Sequence, residues 1–398
     1  MTTRFTLGIE EEFQMVDGRT GQLSPSIQTI LAKGSSTLGE RIKPEQHASM
    51  VELVSPVLPD IVTARSTMGT LRAQLAQLLA EEGLALISAG THPSARWQEE
   101  PISPYERYWR LEEEYQDATR CNLAFGLHIH VGIDNRELAL ALTNQLRSWL
   151  PHLLALSTNS PFWAGRFTGI KSFRSVVWKT TWRSGIPEAF SSWQELDASV
   201  QTLIQMGCIE DGKQLWWDIR PHPFFQTIEF RICDMPATFD EMLALAALCQ
   251  ALVAKLSWLY TRGLRTPVLS ARFIEENKWR AVRRGLDAEA LDFVRMRRLS
   301  MRQAIGELLD FVDEVVDDLG SRREMDCLRA RLEDPRGTGA DRQIALYHQT
   351  HSLPAVTRWL MQQTVQGIPQ IALENPEVAR SAGVTHVLAP LSPIGKTR

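Results

Sequence analysis

Three glutamates stand in a row inside an apolar stretch, TLGIEEEF at residues 6–13. An extended strand has period two. Glu10 and Glu12 therefore share one face, roughly 6–7 Å apart at Cα, and Glu11 faces the other way with Ile9 and Phe13. Unpaired carboxylates this close raise each other's pKa. A divalent cation, a salt bridge or a solvated edge would relieve them, and the E-x-E pattern alone does not choose. Three other segments carry the same device. LAFGLHIHVGI at 123–133 puts Phe125, Leu127, Ile129, Val131 and Ile133 on one face and Gly126, His128, His130 and Gly132 on the other. QTIEFRIC at 226–233 sets Glu229 and Arg231 against Ile228, Phe230 and Ile232, and MVELV at 50–54 sets Glu52 against Val51 and Leu53. One histidine on a strand is commonly a hydrogen-bonded structural residue. Two at spacing two, flanked by glycines, mark a face that something approaches closely.

Carboxylates with one or two imidazoles and no thiolate suit a hard divalent ion, Mg²⁺ or Mn²⁺, and Mg²⁺ held by carboxylates usually serves phosphate chemistry. Cations to clamp phosphate are present: Arg231, Arg220 in WWDIR at 216–220, and Arg166, Lys171 and Arg174 in GRFTGIKSFR at 165–174. There is no G-x-x-x-x-G-K-[ST] loop, so a nucleotide would be held through metals and arginines.

These residues need strands to carry them and helices to back the strands. Helical periodicity predicts four helices: from Asp60 to Gly83, from Asn135 to Leu150 with Pro151 ending or kinking it, from Asp240 to Tyr260, and from Met301 to Leu319 with Gly320 stopping it. The alternation of strand and helix signals predicts an α+β protein with a mostly antiparallel sheet rather than a βαβ array. Residues 157–194, rich in Ser, Gly, Thr and Arg, read as a long functional loop. Of 398 residues, 44% are apolar and 23% charged, enough for a sizeable core. A length of 398 residues alone would allow two or three domains. The 43 basic and 47 acidic residues, with no long run of one sign, suggest neither a nucleic acid nor a membrane surface as partner. The five cysteines are widely spaced and form no C-x-x-C pair, which argues for free thiols in a reducing cytoplasm and against a cysteine zinc site. No signal-peptide core precedes the acidic run.

Taken in order, GIEEE at 8–12, MVE at 50–52, GLHIH at 126–130, WWDIR at 216–220 and IEFR at 228–231 resemble the carboxylate–amine ligase family, also called glutamate–cysteine ligase type 2. This family is a branch of the glutamine-synthetase-like ligases. The resemblance implies a curved, half-barrel antiparallel sheet backed by helices, with a catalytic domain over 1–366 and a C-terminal extension of unassigned role over 367–398. It implies ATP and two or three Mg²⁺ (or Mn²⁺) ions. By motif position, Glu10, His128 and Glu229 would hold the ion nearest the ATP phosphates, and Glu12, Glu52 and Glu45 the ion nearest the substrate carboxylate. Arg231, Arg220 and Arg174 would act on the transferring phosphate or substrate, with His130, Lys171 and Arg166 as further nucleotide contacts. Glu11 carries no role beyond a paired structural carboxylate. The segment Ser157–Gly185 would close as a lid, with Arg174 on a mobile loop. The implied reaction joins a small carboxylic acid to an amine, amino acids first, through an acyl phosphate, with glutamate–cysteine ligation as a main or side activity. A homodimer is entertained without any residue pattern to support it. Two other readings stand beside this one. A metal-dependent amide hydrolase would use the same H-x-H and carboxylates. A non-catalytic nucleotide or metabolite binder would keep the sheet and lose a metal ligand.

Overall fold

The computed structural model describes residues 5–369, so residues 370–398 of the expected C-terminal extension lie outside the described residues. TLGIEEEF opens an eleven-residue strand, and alternation places its apolar members in the core. Seven strands make one open sheet: β1 (Leu7–Asp17), β2 (Ile42–Pro44), β3 (Met50–Val54), β4 (Leu84–Ile87), β5 (Gly126–Gly132), β6 (Ile219–Pro221) and β7 (Thr227–Asp234). Their order is β2-β3-β1-β5-β7-β6, with β4 alongside the far end of β1, and every pairing is antiparallel. Residues of both edge strands, Lys43 and Arg220, line a single pocket, which a flat sheet could not arrange. The sheet is therefore curled around that pocket, as the half-barrel expectation has it.

The apolar face is covered by helices. The Phe239–Thr261 helix starts at a capping box of Thr238 and Glu241 and is buried along most of its length. It is long and apolar enough to cross a membrane by composition, yet 89% of its most apolar window is buried inside the protein, so it reads as a core helix. The Ile61–Glu81 helix starts where expected, capped by the Asp60 carboxylate, which accepts from the Thr63 N–H. Two boundaries differ from expectation. The Arg136–Leu146 helix passes through a tight turn, Arg147–Trp149, into a new helix, Leu150–Ser157. Pro151 sits in that helix's first turn, where a missing N–H costs nothing, so it begins a helix rather than ending one. The Met301–Val316 helix ends three residues before Leu319; Gly320, at φ +67°, lies beyond it in the turn.

Glu11, on the apolar side of β1, is a paired structural carboxylate as expected. Its partner is Arg72 of the Ile61–Glu81 helix, and neither side chain is exposed. The Arg72 guanidinium also lies over the rings of Phe13 and Phe239 and donates to the Thr364 carbonyl at 3.1 Å. Removing one partner strands a buried charge. Arg72→Met is therefore expected to lower the unfolding free energy by about 3–5 kcal/mol. Denaturant unfolding checks this, and a loss under ~1 kcal/mol would contradict the pairing's importance.

The 157–194 region is not one long loop. Asn159, Ser160 and Ser172 are buried and feed hydrogen bonds to the Asp234 carboxylate, at 2.9, 2.7 and 2.7 Å, which fastens the segment to the end of β7. Its polar side chains satisfy buried backbone and a buried carboxylate instead of facing solvent. A short helix, Phe173–Trp178, and a longer one, Trp193–Gln205, follow. The expected lid over 157–185 is thus anchored to the fold at Asn159, Ser160 and Ser172, and of its residues up to Trp178 only Trp178 lines the cavity described below.

Candidate active site

The polar face of the sheet lines a cavity of about 410 Å³. Strand register assembles its floor. Glu10 lies across from His128, Glu12 from Glu52, and His130 from Glu229. Lys43 of β2 lies across from Glu52, and two residues on, the same period brings Glu45 to the same side. All six expected metal ligands, Glu10, Glu12, Glu45, Glu52, His128 and Glu229, line this one cavity, with His130, Arg220 and Arg231 beside them.

The floor divides into two groups. In the first, ligand atoms of Glu10, His128 and Glu229 lie within 4.8 Å of one another. Nδ1 of His128 is 3.1 Å from Glu10 Oε2. Burial, then the nearby Arg231 charge, pull His128 down to about 4, so the imidazole is neutral, the form that ligates a metal. Burial alone would raise Glu10, but His128 and His130 hold it well below the usual carboxylate range. Burial would likewise raise Glu229, and Arg231 and Arg220 keep it low. Arg220 Nε donates to Glu229 Oε2 at 2.6 Å, and Arg231 Nη1 donates to Glu229 Oε1.

The second group is Glu12, Glu45 and Glu52. Among the described residues no lysine or arginine forms an ion pair with any of the three. Burial, and then the Glu45 charge, push Glu12 up to about 7; burial and the charges of Glu10, Glu45 and Glu12 push Glu52 well above its ordinary value. Burial raises Glu45 as well. Glu12 and Glu52 are buried and Glu45 is half-buried; three carboxylates this close without a paired lysine or arginine favour a bound cation, and their all-oxygen character fits Mg²⁺ or Mn²⁺. The residues therefore fit the ions that the motifs imply.

The expected cations behave differently from one another. Arg231 lines the cavity with its Nε buried and without a hydrogen-bond partner. Arg220 also lines it, but its Nη1 donates to the Leu215, Lys213 and Gly212 carbonyls, so most of the guanidinium holds Glu229 and a turn. His130 donates or accepts at Thr227 Oγ1 through Nδ1, 3.0 Å away, and burial, which would lower it, is outweighed by Glu10 and Glu229, which raise it. The other three are corrections. Lys171 pairs with Asp287 and Asp341 at 2.6 and 2.5 Å, away from the cavity, and ties the 157–178 segment to the C-terminal helices. Arg166 is exposed on a two-residue strand beside the Phe173 ring. Arg174 is only 3% exposed, on the Phe173–Trp178 helix, and donates to backbone carbonyls rather than facing a ligand. All three were expected on a functional loop reaching phosphate or substrate; the buried network at Asp234 instead draws Arg174 into the fold and leaves Arg166 at the surface.

Sequence reasoning missed one wall altogether. Tyr105, and Arg107 and Tyr108 of the Glu106–Tyr115 helix, line the cavity near Glu45, while Lys213, Trp216 and His222 line the opposite side. The WWDIR motif contained the Trp216 signal. The Glu106–Tyr115 helix gave none, because its mixture of charges and aromatics has the look of any exposed helix.

A family model described as glutamate–cysteine ligase family 2 matches residues 6–360. A protein of Chloroflexus aurantiacus named "Putative glutamate–cysteine ligase 2" is 46% identical over 378 residues, covering 95% of this chain and 96% of its own length. A protein of Sorangium cellulosum with the same name is 47% identical over 367 residues, covering 92% of this chain and 97% of its own. Among solved structures, a glutamate–cysteine ligase from Francisella tularensis in complex with AMP superposes with a TM-score of 0.69 at 14% identity, over 96% of this chain and 92% of that one. A bifunctional glutathione synthetase from Pasteurella multocida gives 0.66 at 14% identity, over 91% of this chain and 52% of that one. At that identity the structural likeness speaks for the fold.

Proposed function

The chain belongs to the glutamate–cysteine ligase family 2, and from that membership and the donor set of the cavity we propose that it joins a carboxylic acid to an amine at the expense of ATP, through an acyl phosphate. The observation that carries the reading is one cavity lined both by Glu12, Glu45 and Glu52, which form no ion pair with a lysine or arginine among the described residues, and by the guanidinium of Arg231. One side calls for divalent cations and the other for an anion.

In the first step an oxygen of the acid attacks the γ-phosphorus of ATP, the bond to the β-phosphate oxygen breaks, and acyl phosphate and ADP result. In the second, the amine nitrogen attacks the acyl carbon and inorganic phosphate leaves with its oxygen, giving an amide. Mg²⁺ or Mn²⁺ bound by Glu10, His128 and Glu229, and by Glu12, Glu52 and Glu45, would neutralise the converging phosphate and carboxylate charge and polarise the phosphoryl group. Arg231 stabilises charge on the transferring oxygens through the donors that Glu229 does not occupy. Arg220 fixes Glu229. His128 stays neutral and oriented by Glu10.

The test is ATP-dependent phosphate release with Mg²⁺ against a panel of amino acids and amines, with products weighed by mass spectrometry. Phosphate release requiring an acid, and a hydroxamate when hydroxylamine replaces the amine, is the expected result. Amide cleavage without nucleotide would instead favour the metal-dependent hydrolase.

A further inference from the structure

Between Leu127, paired with Cys233, and Ile129, paired with Phe230, β5 advances two residues while β7 moves three. One residue is therefore inserted in β7 opposite His128, within Arg231–Ile232. A bulge of this kind breaks the ladder locally and re-aims a side chain. It also leaves backbone groups that must find partners, since buried orphans are costly. Those partners are specific. The Arg231 and Ile232 carbonyls accept from Nη2 and Nη1 of Arg174, each at 3.2 Å. On the other side of β7 the Arg231 N–H continues the ladder with β6 by donating to the Asp218 carbonyl at 2.8 Å, and Asp218 is itself held by Lys278 in a buried ion pair of 2.5 Å.

Arg174 is set firmly in place. Its own N–H donates to Ser160 Oγ at 3.0 Å, and Ser160 Oγ donates to Asp234 at 2.7 Å. The guanidinium lies against Gly126 so closely that a Cβ there would stand 2.2 Å from Nη2. The Trp178 ring is shared: the Arg174 and Arg231 guanidinium carbons are 5.9 and 5.8 Å from its centroid. We infer that Arg174 is a positioning residue for Arg231: its planar fork holds both carbonyls of the β7 bulge and so fixes where the Arg231 guanidinium points in the cavity. The inference rests on the reading of Arg231 given under Proposed function. A lysine, one charge with no fork, cannot hold both carbonyls in one geometry.

The test compares Arg174→Lys, Arg231→Lys and the double variant. Arg174→Lys is expected to lower kcat roughly 10–100-fold, the order of loss that a misplacement of about 1 Å causes, with the KM for ATP within about threefold. In the Arg231→Lys background the same change is expected to cost less than about twofold more, because two residues acting as one unit are not additive. Losses that multiply overturn the inference. A second readout does not depend on activity. Hydrogen exchange in Arg174→Lys is expected to quicken at residues 229–234 and stay unchanged at β3; unchanged exchange at 229–234 overturns the inference whatever the turnover. Wild-type turnover in Arg231→Lys alongside quickened exchange would sink the role of Arg231 and leave the clamp standing. If Arg174→Lys does not fold, Gly126→Ala, which keeps the arginine and crowds its guanidinium, carries the same comparisons.

Discussion

Arg231→Ala is expected to cut turnover by roughly 10²–10³-fold, the usual loss when one preorganised transition-state donor is removed. The alternative is that Arg231 serves only as a counter-ion for Glu229, and the geometry separates the two. Glu229 has a second arginine, Arg220, on its other oxygen at 2.6 Å. Losing Arg231 therefore leaves Glu229 paired, and the fold should survive with a modest fall in melting temperature. A counter-ion alone would also leave the chemistry nearly intact. Arg231 lines the cavity, and Glu229 occupies only its Nη1. Turnover against Mg²⁺ concentration adds a control. Glu229→Ala removes a proposed ligand and should shift that curve to higher Mg²⁺, while Arg231→Ala should lower its plateau. An Arg231→Ala enzyme with a wild-type plateau would refute the assignment.

Glu52→Gln is expected to move stability and activity in opposite directions. Glu52 is 7% exposed, and burial and three neighbouring carboxylates make its charge unwelcome when no cation is bound. The amide has nearly the same shape without the charge, so the metal-free protein should melt at a higher temperature. The same change replaces a charged carboxylate by a neutral amide at the proposed ion site, and turnover should fall at least ~100-fold, since even residues that only support a ligand cost 10–100-fold. Added Mg²⁺ should then raise the melting temperature of the variant less than that of the wild type. This is the trade of stability for function expected where a site is held under electrostatic strain. A variant that melts lower without metal and keeps full turnover would remove Glu52 from the ion site.

The strands that carry the site were legible because their evidence is local. Period two in residues 6–13, 123–133 and 226–233 assigns each side chain to a face without knowledge of the partner strand, and it also sent Glu11 to the core. What the pattern could not disclose was distant or irregular. Arg72 meets a carbonyl 292 positions away, at Thr364. TIEFRIC keeps its alternation straight through the point where β7 inserts an extra residue, so the bulge leaves no trace in residue type. The polar composition of 157–194 read as a long functional loop, yet hydroxyls of its first part surround the buried Asp234, which alternation alone leaves as the ordinary end of a strand. Arg174 was singled out for a sound reason, a cation without an evident core role, and the fold gave it a backbone to hold. Glu45 came from the family resemblance; the I-K-P-E stretch holds its own clue, since Lys43 and Glu45 are two apart beside Glu52.

The open sheet has two free margins, and they share a design. β2 reads Ile-Lys-Pro and β6 reads Ile-Arg-Pro: each is three residues long and closes on a proline. Proline offers no N–H, and three residues make too short a row of donors and acceptors to template a neighbour. A strand from another molecule that approached either margin would find nothing to zip against, so the curl that creates the cavity does not turn its rims into sites of aggregation. At these two margins the main sheet offers a second copy of the chain too short a row of backbone groups to extend it.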